Sequence, residues 1–97
     1  MTNEKQWQLL VLILRKISES KGISQQEVAD RTGLKRQNVS RMFNLQRCPN
    51  LSTFVLVAKS IGVNFFFEDK AGDTELNVIF EQAMTELGRR PDKLETN

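Results

Sequence analysis

Residues 25–44 read QQEVADRTGLKRQNVSRMFN, and this stretch predicts two short helices separated by a glycine turn. The hydroxyl of Ser24, just ahead of it, is suited to accept from an orphan amide of the opening turn, and Glu27 three residues on can return a bond as a capping box. Val28 and Ala29 then face inward. At Thr32-Gly33 the chain must leave the helix and reverse. Glycine fits because it enters positive φ without the clash a side chain meets, and Leu34 refills the core beyond it.

The second helix, expected from about Lys35 to Asn44, places Val39, Met42 and Phe43 at i, i+3 and i+4, which gathers them into one buried stripe. Lys35, Arg36, Gln37, Asn38, Ser40 and Arg41 face elsewhere. Laid in the major groove of DNA, such a helix has fitting chemistry: arginine is bidentate to guanine O6/N7, glutamine to adenine N6/N7, and serine bonds to either. Arg36, Gln37 and Arg41 are the expected main base readers, Asn38 and Ser40 secondary ones, and Lys35 a phosphate contact. A solvated helix face explains any one of these residues, but few structural demands would select the whole set.

The pattern Gln25, Val28, Ala29, Gly33, Leu34, Val39, Met42 and Asn44 resembles the phage-repressor (Xre/Cro-type) helix-turn-helix DNA-binding family. Downstream, Pro49-Asn50-Leu51, Val57-Ala58 and Ile61-Gly62-Val63 look like the fourth helix of the same domain, so the resemblance spans roughly residues 6–63. It implies double-stranded DNA as partner, with Gln25 bonding a phosphate as in similar domains. The exposed N–H groups and dipole at a helix start favour an anion there. Asn44, Arg47, Ser52 and Thr53, around the start of the fourth helix, are expected to hold the backbone on the other side, with Asn50 as that helix's cap. Two departures stand out. Leu45 occupies the place of the family's usual glycine, putting the path of the following loop in question. Ser18 and Phe43 occupy the places of an arginine-glutamate pair that joins the first and third helices in many relatives, and an apolar contact is expected instead.

The net charge of +2 is unevenly spread over the 97 residues. Residues 1–63 hold ten Lys/Arg against four Asp/Glu, or +6, and residues 64–97 hold four against eight, or −4. Lysine and arginine meeting phosphates release condensed counterions and supply sequence-independent affinity, so the basic segment suits a polyanion and the acidic one should point away from it. One cysteine, Cys48, and no histidine leave no internal disulfide, no common zinc pattern and no usual nucleophile-base pair; neither a catalytic residue nor a cofactor is expected. The opening MTNEKQW lacks a signal-peptide pattern, and the longest apolar run, Leu9–Leu14, is six residues, where spanning a bilayer takes about 20. A cytoplasmic protein, nucleoid-associated when bound to DNA, is expected.

The first helix is expected from near Glu4 to Ser20, capped by Thr2 or Asn3 and closed by Gly22, with Trp7, Leu10, Val11, Leu14 and Ile17 as its buried stripe. Leu9, Leu12 and Ile13 make its opposite face apolar as well, and a helix apolar on both sides is normally covered on both. At the other end, Asp73 or Thr74 is expected to cap a helix with Leu76, Ile79, Phe80, Ala83, Met84 and Leu87 on one face, ended by Gly88 and Pro91 and followed by a frayed tail. Between them, residues 64–73 read as a short strand and turn carrying Phe65 and Phe67; Glu68-Asp69 reads as a solvated edge.

The expected fold is mostly α: a compact helical bundle with a central helix-turn-helix over 1–63, then a short strand and a C-terminal amphipathic helix over 64–97. An orphan strand and an orphan amphipathic helix, on a domain type that reads palindromic operators, are most simply satisfied by a two-fold partner. Residues 64–88, through Phe65, Phe67 and the apolar face just named, are therefore the expected surface of a homodimer. Folding back onto Leu9, Leu12 and Ile13 is the alternative. Two functions remain open: a sequence-specific regulator, in particular a repressor, and an antitoxin that covers a small toxin with its acidic segment while repressing its own operon.

Overall fold

Every helix start in the N-terminal unit lies where a short polar side chain or a basic residue interrupts the apolar pattern. The computed structural model describes residues 2–88 and contains five helices among them. Thr2 accepts from the Lys5 amide and opens α1, Asn3–Ser20. Ser24 and Glu27 form the expected reciprocal capping box on α2, Gln25–Thr32. α3, Arg36–Phe43, starts after Lys35 with no side-chain cap, and Asn50 Oδ1 accepts from the Thr53 amide at 2.8 Å to open α4, Leu51–Ser60.

The helix ends follow one rule with one exception in residue type. After α1 and α4 the chain passes through Gly22 and Gly62 at positive φ, and the amides of Ile23 and Val63 return to the Ser18 and Ala58 carbonyls. Together with the glycine amides, these bonds satisfy two orphan carbonyls at each end. α3 ends the same way, with Leu45 and Gln46 amides bonding the Met42 and Arg41 carbonyls. Here the left-handed position is filled by Leu45 at φ 61. The loop thus keeps the glycine-like conformation without the glycine, at a backbone cost of roughly 1–2 kcal/mol, and the half-buried Leu45 side chain offsets part of that by packing against the core.

The chain divides into two compact units, Met1–Asn64 and Phe65–Asn97. In the first, α2 packs on α3 and α4, and α1 packs on α3. Their shared core is Val11, Leu14, Val28, Ala29, Val39, Met42, Phe43, Val57, Ala58 and Ile61, with Trp7, Ile17, Leu34 and Phe54 packed around it. Leu10 does not join its expected stripe: it is exposed, as are Leu9 and Ile13, whereas Leu12 is half-buried. The rotation of α1 that commits Val11 and Leu14 to the core leaves Leu10 at the rim.

The second unit corrects two expectations. No strand occurs among the described residues, and Phe65 and Phe67 lie in irregular backbone; a strand needs the ladder of a neighbouring strand, and the described residues contain no other strand. Neither Asp73 nor Thr74 caps α5, Leu76–Glu86, whose N-cap is Glu75 without a side-chain bond. Thr74 is engaged elsewhere: its hydroxyl donates to Asp69 Oδ2 at 2.7 Å, while Asp69 Oδ1 accepts from the Ala71 amide and its carbonyl from the Gly72 amide. Of the expected apolar face only Met84 is buried; Leu76, Ile79, Phe80, Ala83 and Leu87 are exposed. Pro91 and the tail fall outside the described residues.

Urea unfolding and an NMR titration check these elements. Open space surrounds a Cβ placed on Gly33, so Gly33→Ala tests backbone strain alone and should cost about 1 kcal/mol in urea unfolding; Ser24→Ala should cost a similar ~1 kcal/mol, and Phe43→Ala about 3–5 kcal/mol. The Thr74 and Ala71 hydrogen bonds hold the Asp69 carboxyl below its ordinary range. The 69–74 turn is therefore fully held above the ordinary aspartate pKa and loosens as pH falls through the lowered value. An NMR titration of Asp69 should show the low midpoint, and Thr74→Ala should move it upward.

Candidate nucleic-acid interface

The underside of α3 determines what its outer side can do. Val39, Met42 and Phe43 are at most 4% exposed, which fixes the helix rotation. At 3.6 residues per turn, Gln37, Arg41 and Asn44 then lie opposite the buried stripe, with Arg36, Asn38 and Ser40 on its flanks. Arg36, Gln37, Asn38 and Arg41 are exposed, and their side chains have no hydrogen bond or ion pair among the described residues. Ser40 differs, being half-buried and accepting from Asn44 Nδ2 at 3.2 Å. That bond occupies both Ser40 and Asn44 and ties the end of α3 to its own middle.

Four of the remaining sequence-predicted residues lie at three helix starts. Gln25 is the first residue of α2 and half-buried; Lys35 is the exposed N-cap of α3; Ser52 and the half-buried Thr53 sit in the first turn of α4. Glu27, Asn38 and Thr53 amides are engaged by Ser24, Lys35 and Asn50; the first two amides of each turn have no intrahelical partner and favour anions. Between α3 and the 47–53 segment lies a concavity of about 380 Å³, lined by Leu34, Asn38, Val39, Met42, Arg47, Cys48, Pro49, Asn50 and Thr53. It brings Arg47 and Thr53 to the side of the helix that carries Asn38.

Seven of the basic residues fall into two groups. Arg15 Nη1 donates to the Phe43 carbonyl at 3.0 Å, Lys21 Nζ to the Ile61 carbonyl at 2.7 Å, and Arg31 Nη1 to the Ser60 carbonyl at 2.8 Å. Each places a cation at the negative end of a helix, α3 or α4, where the last carbonyls lack partners. Arg15 and Arg31 also face Glu19 and Glu27 four residues away. Lys35, Arg36, Arg41 and Arg47 have no such duty and stand exposed around α3.

Sequence reasoning missed the first group. Arg15 joins α1 to α3 through a backbone carbonyl 28 residues away, one turn before Ser18. Ser18 is itself buried and donates to the Ile23 carbonyl at 2.7 Å, and Phe43 is in the core. The link between α1 and α3 at this point is Arg15 on the Phe43 carbonyl. A backbone acceptor leaves no mark in the sequence pattern.

With this geometry in place, the family assignment follows. A model of the helix-turn-helix family matches residues 14–67, more than half of the chain. The chain belongs to that family, in its phage-repressor type, and is a DNA-binding protein of the transcription-regulator class. No curated protein and no solved structure matches it. Among the described residues no helix is long and apolar enough to cross a membrane, and no group of three or more Cys, Asp or Glu side chains is placed to hold a metal ion.

The division of the cations sets a test. For binding to duplex DNA, Arg47→Ala should reduce the log–log salt slope by about 0.9 for each phosphate that the arginine neutralises. Arg31→Ala and Arg15→Met should lower stability to urea and leave that slope unchanged.

Proposed function

We propose that the chain reads a palindromic operator as a homodimer and represses transcription by occluding the promoter beneath it. Each protomer lays α3 in the major groove. Gln37 and Arg41 meet base edges directly, and Arg36 and Asn38 reach the flanking bases from the helix start. Ser40, held by Asn44, orients the end of the helix and makes at most a secondary base contact.

The clamp is built from phosphate contacts on either side of that helix. Gln25 and Lys35 hold one stretch of backbone. Arg47, Ser52 and Thr53 hold the other, with Asn44 at the join and the concavity beside Asn38 accommodating the sugar-phosphate ridge. Such contacts set register and orientation without carrying sequence information. In a two-fold dimer the half-sites lie about one helical turn apart, near 34 Å. Residues 64–97 act as the dimerisation element in this reading, and residues 1–63 as the DNA-binding domain.

The observation that carries the proposal is the pairing of a sealed underside with an unengaged outer face on α3: Val39, Met42 and Phe43 are buried while Gln37 and Arg41 have no partner among the described residues. Steric occlusion then needs neither a cofactor nor a catalytic group. A second reading is favoured by the other unit. Between Phe65 and Gly88 there are six acidic residues against one lysine, and Phe66 and Phe67 are about nine-tenths exposed. That composition suits an antitoxin segment that covers a small basic toxin while α3 represses the shared operon.

In vitro selection of bound duplexes tests the first reading. Gln37→Ala and Arg41→Ala should each relax preference at one base pair per half-site, by about 1–3 kcal/mol. Unchanged affinity and unchanged sequence preference in both variants would remove α3 as the reader. Hydrogen exchange separates the two functions: protection of 65–88 in the isolated protein supports the repressor dimer, and protection that arises only with a co-purified small protein supports the antitoxin.

A further inference from the structure

We infer that the dimer closes reciprocally, with the apolar face of α5 from each copy seated on the outer face of α1 of the other. The inference rests on the dimeric reading above and names the surfaces that produce it. Two faces need covering. On α1, Leu9, Leu10 and Ile13 are exposed, and Lys5 and Lys16 border them along one edge. On α5, Leu76, Ile79, Phe80 and Leu87 are exposed, bordered by Glu75 and Glu86 along one edge and Glu81 along the other. None of these five charged side chains has an ion-pair partner among the described residues.

Charge chooses between the ways two copies can cover these faces. Between Gly72 and Gly88 there are four acidic residues and no lysine or arginine. Pairing α5 with α5 of a second copy would set two such acidic borders against each other, and like charges at an interface disfavour association. Seating α5 on α1 of the partner sets Glu75 and Glu86 against Lys5 and Lys16 while apolar meets apolar. The arrangement is closed under a two-fold axis, since each copy offers one face of each kind and both are filled twice in the pair. It also keeps the acidic borders beside lysines of α1 and away from the cations of α3.

Cysteine pairing gives the test. In a Cys48→Ser background, which removes the native thiol, Ile13→Cys and Phe80→Cys are made in separate proteins, mixed and mildly oxidised. The inference expects a disulfide between the two different variants and little between identical ones. A dimer in which Phe80→Cys joins to itself, or in which no cross-variant disulfide forms, overturns the inference and leaves the dimeric reading standing. An Ile13→Cys/Phe80→Cys double variant that closes within one chain also overturns it. A protein monomeric by sedimentation at every concentration, with or without operator DNA, overturns both. Because apolar positions are altered in these variants, surface charges supply a second route. Lys5→Glu/Lys16→Glu should raise the dimer dissociation constant about tenfold or more with the helical spectrum unchanged, and adding Glu75→Lys/Glu86→Lys should restore it. No change on the first reversal, or no rescue by the second, counts against the reciprocal contact.

Discussion

Burial of one stripe of α3 is the constraint on which the rest depends. Val39, Met42 and Phe43 are sealed in the core that α3 shares with α1 and α2, and a helix of eight residues has no freedom to roll once three of its side chains are locked in a close-packed interior. Everything proposed for the outer face follows from that fixed rotation. So does the division of labour among the polar residues. Ser40 and Asn44 bond each other near the helix end, and Gln37 and Arg41, opposite the stripe, form no side-chain hydrogen bond or ion pair among the described residues.

The supports of α3 act at its two ends by different physics. Its start is left without a side-chain cap, so the first amides and the positive end of the helix dipole stay available to an anion. Its end is closed three times over: by the backbone bonds through Leu45, by Arg15 on the Phe43 carbonyl, and by the Ser40–Asn44 bond. An open start and a tied end suit an element whose beginning is to meet a ligand and whose position must not drift. The strain accepted at Leu45 is consistent with a loop held by its surroundings rather than by its own preference.

Much of this is legible in the sequence because the signals are local. Ser24 with Glu27, Gly33, Asn50, and the spacing of residues 39, 42 and 43 each act within a few residues, and the structure follows them closely. What is not legible depends on partners distant in the chain. Arg15, Lys21 and Arg31 look like surface cations until the carbonyls they bind are brought to them by the fold. Leu45 hides a left-handed turn because its identity argues against one. The strand expected within residues 64–73 fails for the complementary reason: composition can propose a strand, but only a neighbouring backbone can make one. Thr74 shows the same competition at short range, since Asp69 claims the hydroxyl that would have capped α5. The roles proposed for the residues opposite the stripe rest on their chemistry alone, because the partner in that reading is another molecule.

Chemical-shift mapping of the ¹⁵N-labelled protein against a selected operator duplex tests the central claim most directly. The account predicts that amides of residues 35–41 move most, with smaller shifts at Gln25 and at residues 44–53, and with α5 unaffected by DNA contact. Shifts concentrated in α5 or on the outer face of α1, with α3 unmoved at saturating duplex, would contradict it.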